Sequence, residues 1–120
     1  FGEAEENILH LKTPDANAGF LKLKNANVRW FLSVNSYYIP EEIKAQGQTT
    51  FRSITVNGEE MEFSGGYTEL ETRTEEEILK GNGIGLDEVY AHIKIVSTIR
   101  NLNPISLTGK YHPFCKKVLD

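Results

Sequence analysis

The sequence predicts an α+β domain: a mostly antiparallel sheet of five or six strands with two C-terminal helices on one face. Three observations carry this. Alternating apolar residues fill the first half, an Asn-Gly pair joins two strand-like runs, and the periodicity turns helical after Gly65. The chain has 120 residues, the size of one domain with a core of its own, so a single domain over 1–120 is expected.

The elements follow in order. Asn7–Lys12 alternates, with Leu9 and Leu11 opposite Ile8, His10 and Lys12. Pro14, Asp15, Asn17 and Gly19 form a turn cluster, after which Phe20–Lys24 alternates again. Asn25-Ala26-Asn27 is a short turn into Val28–Val34, the most apolar run and therefore expected at the centre of the sheet. Asn35–Gly47 is irregular and long for a hairpin loop. Thr50–Val56 pairs with Met61–Ser64 around Asn57-Gly58, where both turn residues need positive φ. Thr68-Glu69-Leu70-Glu71 has the spacing of a capping box, and Glu75, Glu76 and Glu77 lie early in the helix that follows. Gly81 is its expected stop. The second helix runs from about Leu86 to Asn101, with Leu86, Val89, Tyr90, Ile93 and Val96 at helical spacing. Asn103-Pro104 ends it, Ile105–Leu107 is a candidate edge strand, and Thr108–Asp120 is a tail.

Charge and composition narrow the function classes. Thirteen basic against 17 acidic residues, net −4, argue against a surface that tracks nucleic-acid phosphates. No apolar run reaches the roughly 18 residues of a membrane span. The single Cys115 excludes an internal disulfide and a multi-cysteine zinc site. With no leader sequence visible before Phe1, a cytoplasmic domain cut from a longer chain is expected.

Few residues point to chemistry. His10, His92 and His112 show no metal-ligand spacing, and no nucleophile motif surrounds Cys115. Gly81-Asn82-Gly83-Ile84-Gly85 follows a helix, whereas a dinucleotide cradle follows a strand. Catalytic and metal-binding residues are therefore expected to be absent. Ser64-Gly65-Gly66-Tyr67-Thr68 joins a strand end to a helix start, where free backbone N–H groups suit an anion or a sugar hydroxyl. Gly66, Tyr67, Thr68 and Thr72 are candidate contacts for a polar ligand. Arg29 and Arg52 project from strands and need an acceptor, either a substrate anion or a neighbouring subunit. Two helices can cover one sheet face. The other carries Phe31 and is too apolar for water, so Phe31, Trp30 and Arg52 are candidate oligomer contacts, with a one-residue slip exchanging Trp30 for Phe31.

Beyond these physical signals, GFLKLKNANVRWFLSVN, FRSITVNGEEMEFSGGYTEL and EEILKGNGIGLDEVYAHIKIVSTIR resemble the C-terminal domain of Gfo/Idh/MocA-type oxidoreductases. The specific parts, RWFLS and RSITVNGEEMEFSGG, are similar to the branch that oxidises UDP-N-acetyl-glucosaminuronic acid in O-antigen and lipopolysaccharide sugar biosynthesis. The resemblance implies a parent enzyme with an N-terminal Rossmann domain that binds NAD. It also implies an E-K-P lysine and a histidine at the reacting carbon, none of which this sequence contains. The fragment itself is then expected to be inactive and to bind no cofactor. It would contribute a substrate wall for a UDP-sugar and a sheet that assembles homodimers or tetramers. Glu71 departs from the family pattern, in which a histidine precedes the helix-start threonine. The rival expectation is a stand-alone, non-catalytic binding or assembly module.

Overall fold

The computed structural model describes residues 1–62 and 70–119. The chain is α+β, with antiparallel sheets and four helices among the described residues. It divides into two compact units, Phe1–Tyr38 with Leu86–Asp120, and Ile39–Gly85.

The first unit is built on β1 (Ala4–Lys12), β2 (Ala16–Leu23) and β3 (Ala26–Ser33), in the order β1-β2-β3. The expected single sheet of five or six strands is not seen among the described residues. The five strands among the described residues form a sheet of three and a sheet of two. Among the described residues β2, not β3, is the central strand of the three. Apolarity misled because the large residues of β3 are only half-buried or exposed, whereas β2, with smaller residues, is the strand that is buried. Ala16, Ala18, Gly19 and Phe20 are all buried in β2. That strand begins four residues earlier than its alternation implies, since Ala16–Gly19 reads as turn by composition yet pairs with both neighbours.

Thr13 closes the β1–β2 turn: its N–H donates to Ala16 O at 2.8 Å, and its hydroxyl contacts Asp15 Oδ1 at 2.9 Å. The second link of the sheet is a two-residue turn, because Leu23 pairs with Ala26.

Register assigns the two faces. Gly19 pairs with Leu9 and Trp30, so these three share one face, and Leu21 pairs with Asn7 and Val28 on that same side. Helix α3 (Leu86–Asn101), which matches its expected bounds, packs against β1. Asn7 Nδ2 donates to Ile95 O at 3.3 Å, and Lys12 Nζ reaches Arg100 O, also at 3.3 Å. A lysine at those last carbonyls complements the helix dipole.

The opposite face carries Ile8, Phe20, Arg29, Ala18 and Phe31, and the C-terminal tail lies over it. Ile105 N donates to Leu9 O at 2.9 Å, without forming the strand expected there. The tail ends in α4 (Cys115–Leu119), whose Cys115 is fully buried.

The second unit holds α1 (Glu41–Ala45), β4 (Ser53–Val56), β5 (Glu59–Glu62) and α2 (Leu70–Leu79). Asn57 (φ 50°) and Gly58 (φ 87°) make the tight turn of the β4–β5 hairpin, as their sequence requires. Helix α2 stops at Gly81 (φ 84°), whose N–H donates to Ile78 O at 3.0 Å while Asn82 N–H reaches Glu77 O at 2.8 Å. This is the paired-bond glycine stop, in which the last carbonyls find donors from the residues just beyond the helix. No described helix is long and apolar enough to cross a membrane.

Candidate functional site

The sequence-derived substrate contacts divide sharply. Gly66, Tyr67 and Thr68 lie outside the described residues. Thr72 sits exposed on α2, beside Glu71. Arg29 is exposed on β3, on the sheet face that meets the tail. Arg52 stands exposed just ahead of β4, and Trp30 is half-buried. Phe31 is also half-buried, against rings of its own chain.

That ring cluster is the most organised feature of the described residues. Phe31 meets Tyr38 at 5.9 Å, His112 at 5.9 Å and Phe114 at 5.7 Å between centroids. The Tyr38 and Phe114 contacts are edge-on, the arrangement that opposite ring charges favour. His112 Nδ1 accepts the backbone N–H of Phe114 at 3.1 Å, so this nitrogen carries no proton in the cluster. Burial, and then the positive charge of Arg29, push the His112 pKa below the ordinary histidine value. Lys117 Nζ lies 4.1 Å from the centre of the Phe114 ring and donates to Tyr38 O at 3.3 Å. The tail is thereby tied to the end of β3.

A polar net fixes the chain as it leaves β3. Asp15 accepts Asn35 Nδ2 at 2.7 Å and the Thr13 hydroxyl at 2.9 Å, and these two contacts lower its pKa. Asn35 Oδ1 in turn accepts Tyr37 N–H at 2.9 Å. Asn35 thus links the β1–β2 turn to the 3₁₀ turn Ser36–Tyr38.

Cys115 is enclosed, and burial raises its thiol pKa, the reverse of an activated nucleophile. Among the described residues no three His, Cys, Asp or Glu side chains converge on a metal position. Gly81–Gly85 joins α2 to α3, two helices, and so is not a strand-loop-helix dinucleotide cradle. Sequence reasoning missed the tail-to-sheet cluster. Its signal, three aromatic or imidazole rings in the run Tyr111-His112-Pro113-Phe114, stood in what read as a plain tail.

Solved structures share this fold, among them two of one enzyme. Both are of the WlbA (WbpB) dehydrogenase from Thermus thermophilus, one in complex with NAD and α-ketoglutarate and the other with NAD and UDP-GlcNAcA. The first is 43% identical over 95% of this chain, with a TM-score of 0.89. The second is 42% identical over 95%, with a TM-score of 0.88. The chain is a relative of that dehydrogenase. It spans 37% of the solved WlbA chain. At this identity the likeness extends beyond the fold, and it agrees with the sugar-dehydrogenase resemblance carried by RWFLS and RSITVNGEEMEFSGG. No protein-family model matches the chain.

Proposed function

We propose that this chain is the sheet-bearing, C-terminal domain of an NAD-dependent nucleotide-sugar dehydrogenase, acting in the cytoplasm on a UDP-N-acetyl-hexosaminuronate for lipopolysaccharide synthesis. The supporting observation is the 43% identity to WlbA across 95% of the chain. In this reading the domain supplies a substrate wall and a subunit contact. NAD and the acid–base groups belong to the remainder of the enzyme, because a general base must reach the proton it takes. Thr72 and Arg29 are the described residues assigned to the substrate. A hydroxyl and a guanidinium suit sugar hydroxyls and a carboxylate or phosphate, respectively.

The test uses the full-length protein that contains this segment. With NAD and UDP-N-acetyl-glucosaminuronate, absorbance at the reduced-nicotinamide band should grow, while the 120-residue chain alone should give none. Growth with the short chain, or none with the long one, refutes the reading.

Subunit assembly is assigned to β3, at the sheet edge. Trp30 shares its face with Leu32, which is 69% exposed, and Val34 just beyond the strand is 89% exposed. Among the described residues no strand pairs beyond β3, and exposed apolar residues at such an edge invite a second strand or sheet. Leu32→Glu is the clean probe, since altering Phe31 would also disturb the ring cluster. More monomer in sedimentation is expected, and an unchanged oligomer refutes the assignment. The same edge is what favours the rival reading of a stand-alone assembly module. Sequencing upstream of Phe1 separates the two: a Rossmann fingerprint supports the dehydrogenase, and an adjacent start codon the module.

A further inference from the structure

A groove of about 470 Å³ lies between the tail-facing side of β1–β2 and the loop 105–110. Its floor is apolar: Ile8 and Phe20 are cross-strand partners, and Ile105 closes one wall. Its rim is polar. Glu6, Lys22 and Asn27 form one row across the three strands, and Thr108, Gly109 and Lys110 face them from the loop.

The charge here is unlike that of the whole chain. Lys22 and Lys110 line the groove against the single carboxylate of Glu6. Arg29 pairs with Phe20 in the next row, adding a third cation on the same face. Lys22 is partly answered by Glu5 at 3.7 Å, an exposed pair of the kind worth little in water. Lys110 Nζ stands 5.6 Å from the centre of the Phe20 ring. The exposed ammonium therefore lies over the apolar floor.

The loop is also conformationally unusual. Ser106 has φ 79° and Gly109 φ 68°, and Thr108 N–H donates to Ser106 O at 3.0 Å in a three-residue turn. An ordinary L residue rarely adopts such a φ, and backbone strain of this kind gathers at ligand clamps. Below the groove, His10 is 3% exposed and its Nδ1 has no hydrogen-bond partner among the described residues.

We infer that this groove binds a small organic anion, a phosphate or carboxylate carried on an apolar body. The body lies on Phe20 and Ile8, and the anionic group lies between Lys22 and Lys110. The volume falls within the range of small-molecule sites, and an apolar floor with a few convergent polar groups is their usual make-up. This site is independent of the dehydrogenase assignment, and its test does not involve turnover.

The experiment is an NMR titration of the 120-residue chain with phenyl phosphate, benzoate and, as the neutral control, benzyl alcohol. Both anions should shift the amides of Thr108, Gly109 and Lys110, and the tighter of the two identifies the preferred head group. Lys22→Met and Lys110→Met should each weaken binding about tenfold, the loss of one charge-assisted contact. Glu6→Gln should tighten it several-fold by removing the opposing charge. All three residues are exposed, so the variants should keep the dispersed spectrum of the folded chain. Benzyl alcohol shifting the same amides equally would overturn the inference. So would loop amides that ignore both anions, or lysine variants that bind as well as the parent.

Discussion

Gly19→Ala reverses the usual sign of a glycine replacement. In an extended strand, alanine normally gains about 0.5–1 kcal/mol over glycine because the unfolded chain loses freedom. At Gly19 a β-carbon would stand 2.8 Å from Cζ2 and 3.0 Å from Cε2 of Trp30, and closer still to the carbonyl oxygen of Ile8. Comfortable carbon contacts begin near ~3.5 Å. The indole can swing, since Trp30 is only half-buried. The Ile8 carbonyl cannot, because it belongs to the backbone of the paired strand. Overpacking of this kind costs about 1–3 kcal/mol, so a net loss of about 2 kcal/mol is expected, roughly a thirtyfold fall in the folding constant. Urea denaturation of the two proteins measures it as a lower midpoint at equal slope. In a Trp30→Ala background the penalty should shrink without vanishing, leaving the share due to the carbonyl. A Gly19→Ala protein as stable as its parent would refute the packing argument outright.

Other consequences are as direct. His112 titrates lower in the fold than in the unfolded chain, so the unfolded state binds more protons between the two values. Stability should therefore be complete above about pH 6.5, fall as the pH drops toward the lowered folded value, and then level off. His112→Phe should flatten that segment of a stability–pH curve; an unchanged curve would show that the ring does not titrate against folding. Asp15 acts in a different window. Its lowered pKa makes its contribution present above about pH 3.9 and lost as the pH falls below it, and Asp15→Asn should remove that acid-side loss in the same titration. Buried Cys115 should resist alkylation in buffer and react promptly in denaturant, while rapid labelling of the folded protein would contradict its enclosure. Phe31→Ala should cost about 2 kcal/mol by thermal unfolding, less than a fully buried ring because Phe31 is half-exposed.

The signals that survived into the structure are local. Asn57-Gly58 determines its own turn, Gly81 determines its own helix stop, and the apolar spacing of Leu86–Asn101 is satisfied by one helix. What escaped depends on partners distant in the chain. Ala16–Gly19 became strand because β1 and β3 flank it, and β3 became an edge because nothing among the described residues pairs beyond it. Helix α1 had a readable cue, Pro40 before Glu41-Glu42, the fixed φ and acidic first turn of a helix start. The candidate site was less legible. Thr72 and Arg29 lie on exposed surfaces, and the groove and the ring cluster bring together residues some 80 to 100 positions apart, which no periodicity encodes.

That long reach has a bearing on biosynthesis. Phe31 and His10 emerge early, whereas Tyr111, His112 and Phe114, the rings that meet them, are added some eighty to a hundred residues later. On the ribosome the three strands must wait, one side uncovered, until α4 has left the exit tunnel. This is the interval in which a chaperone would find the nascent chain most in need of shelter.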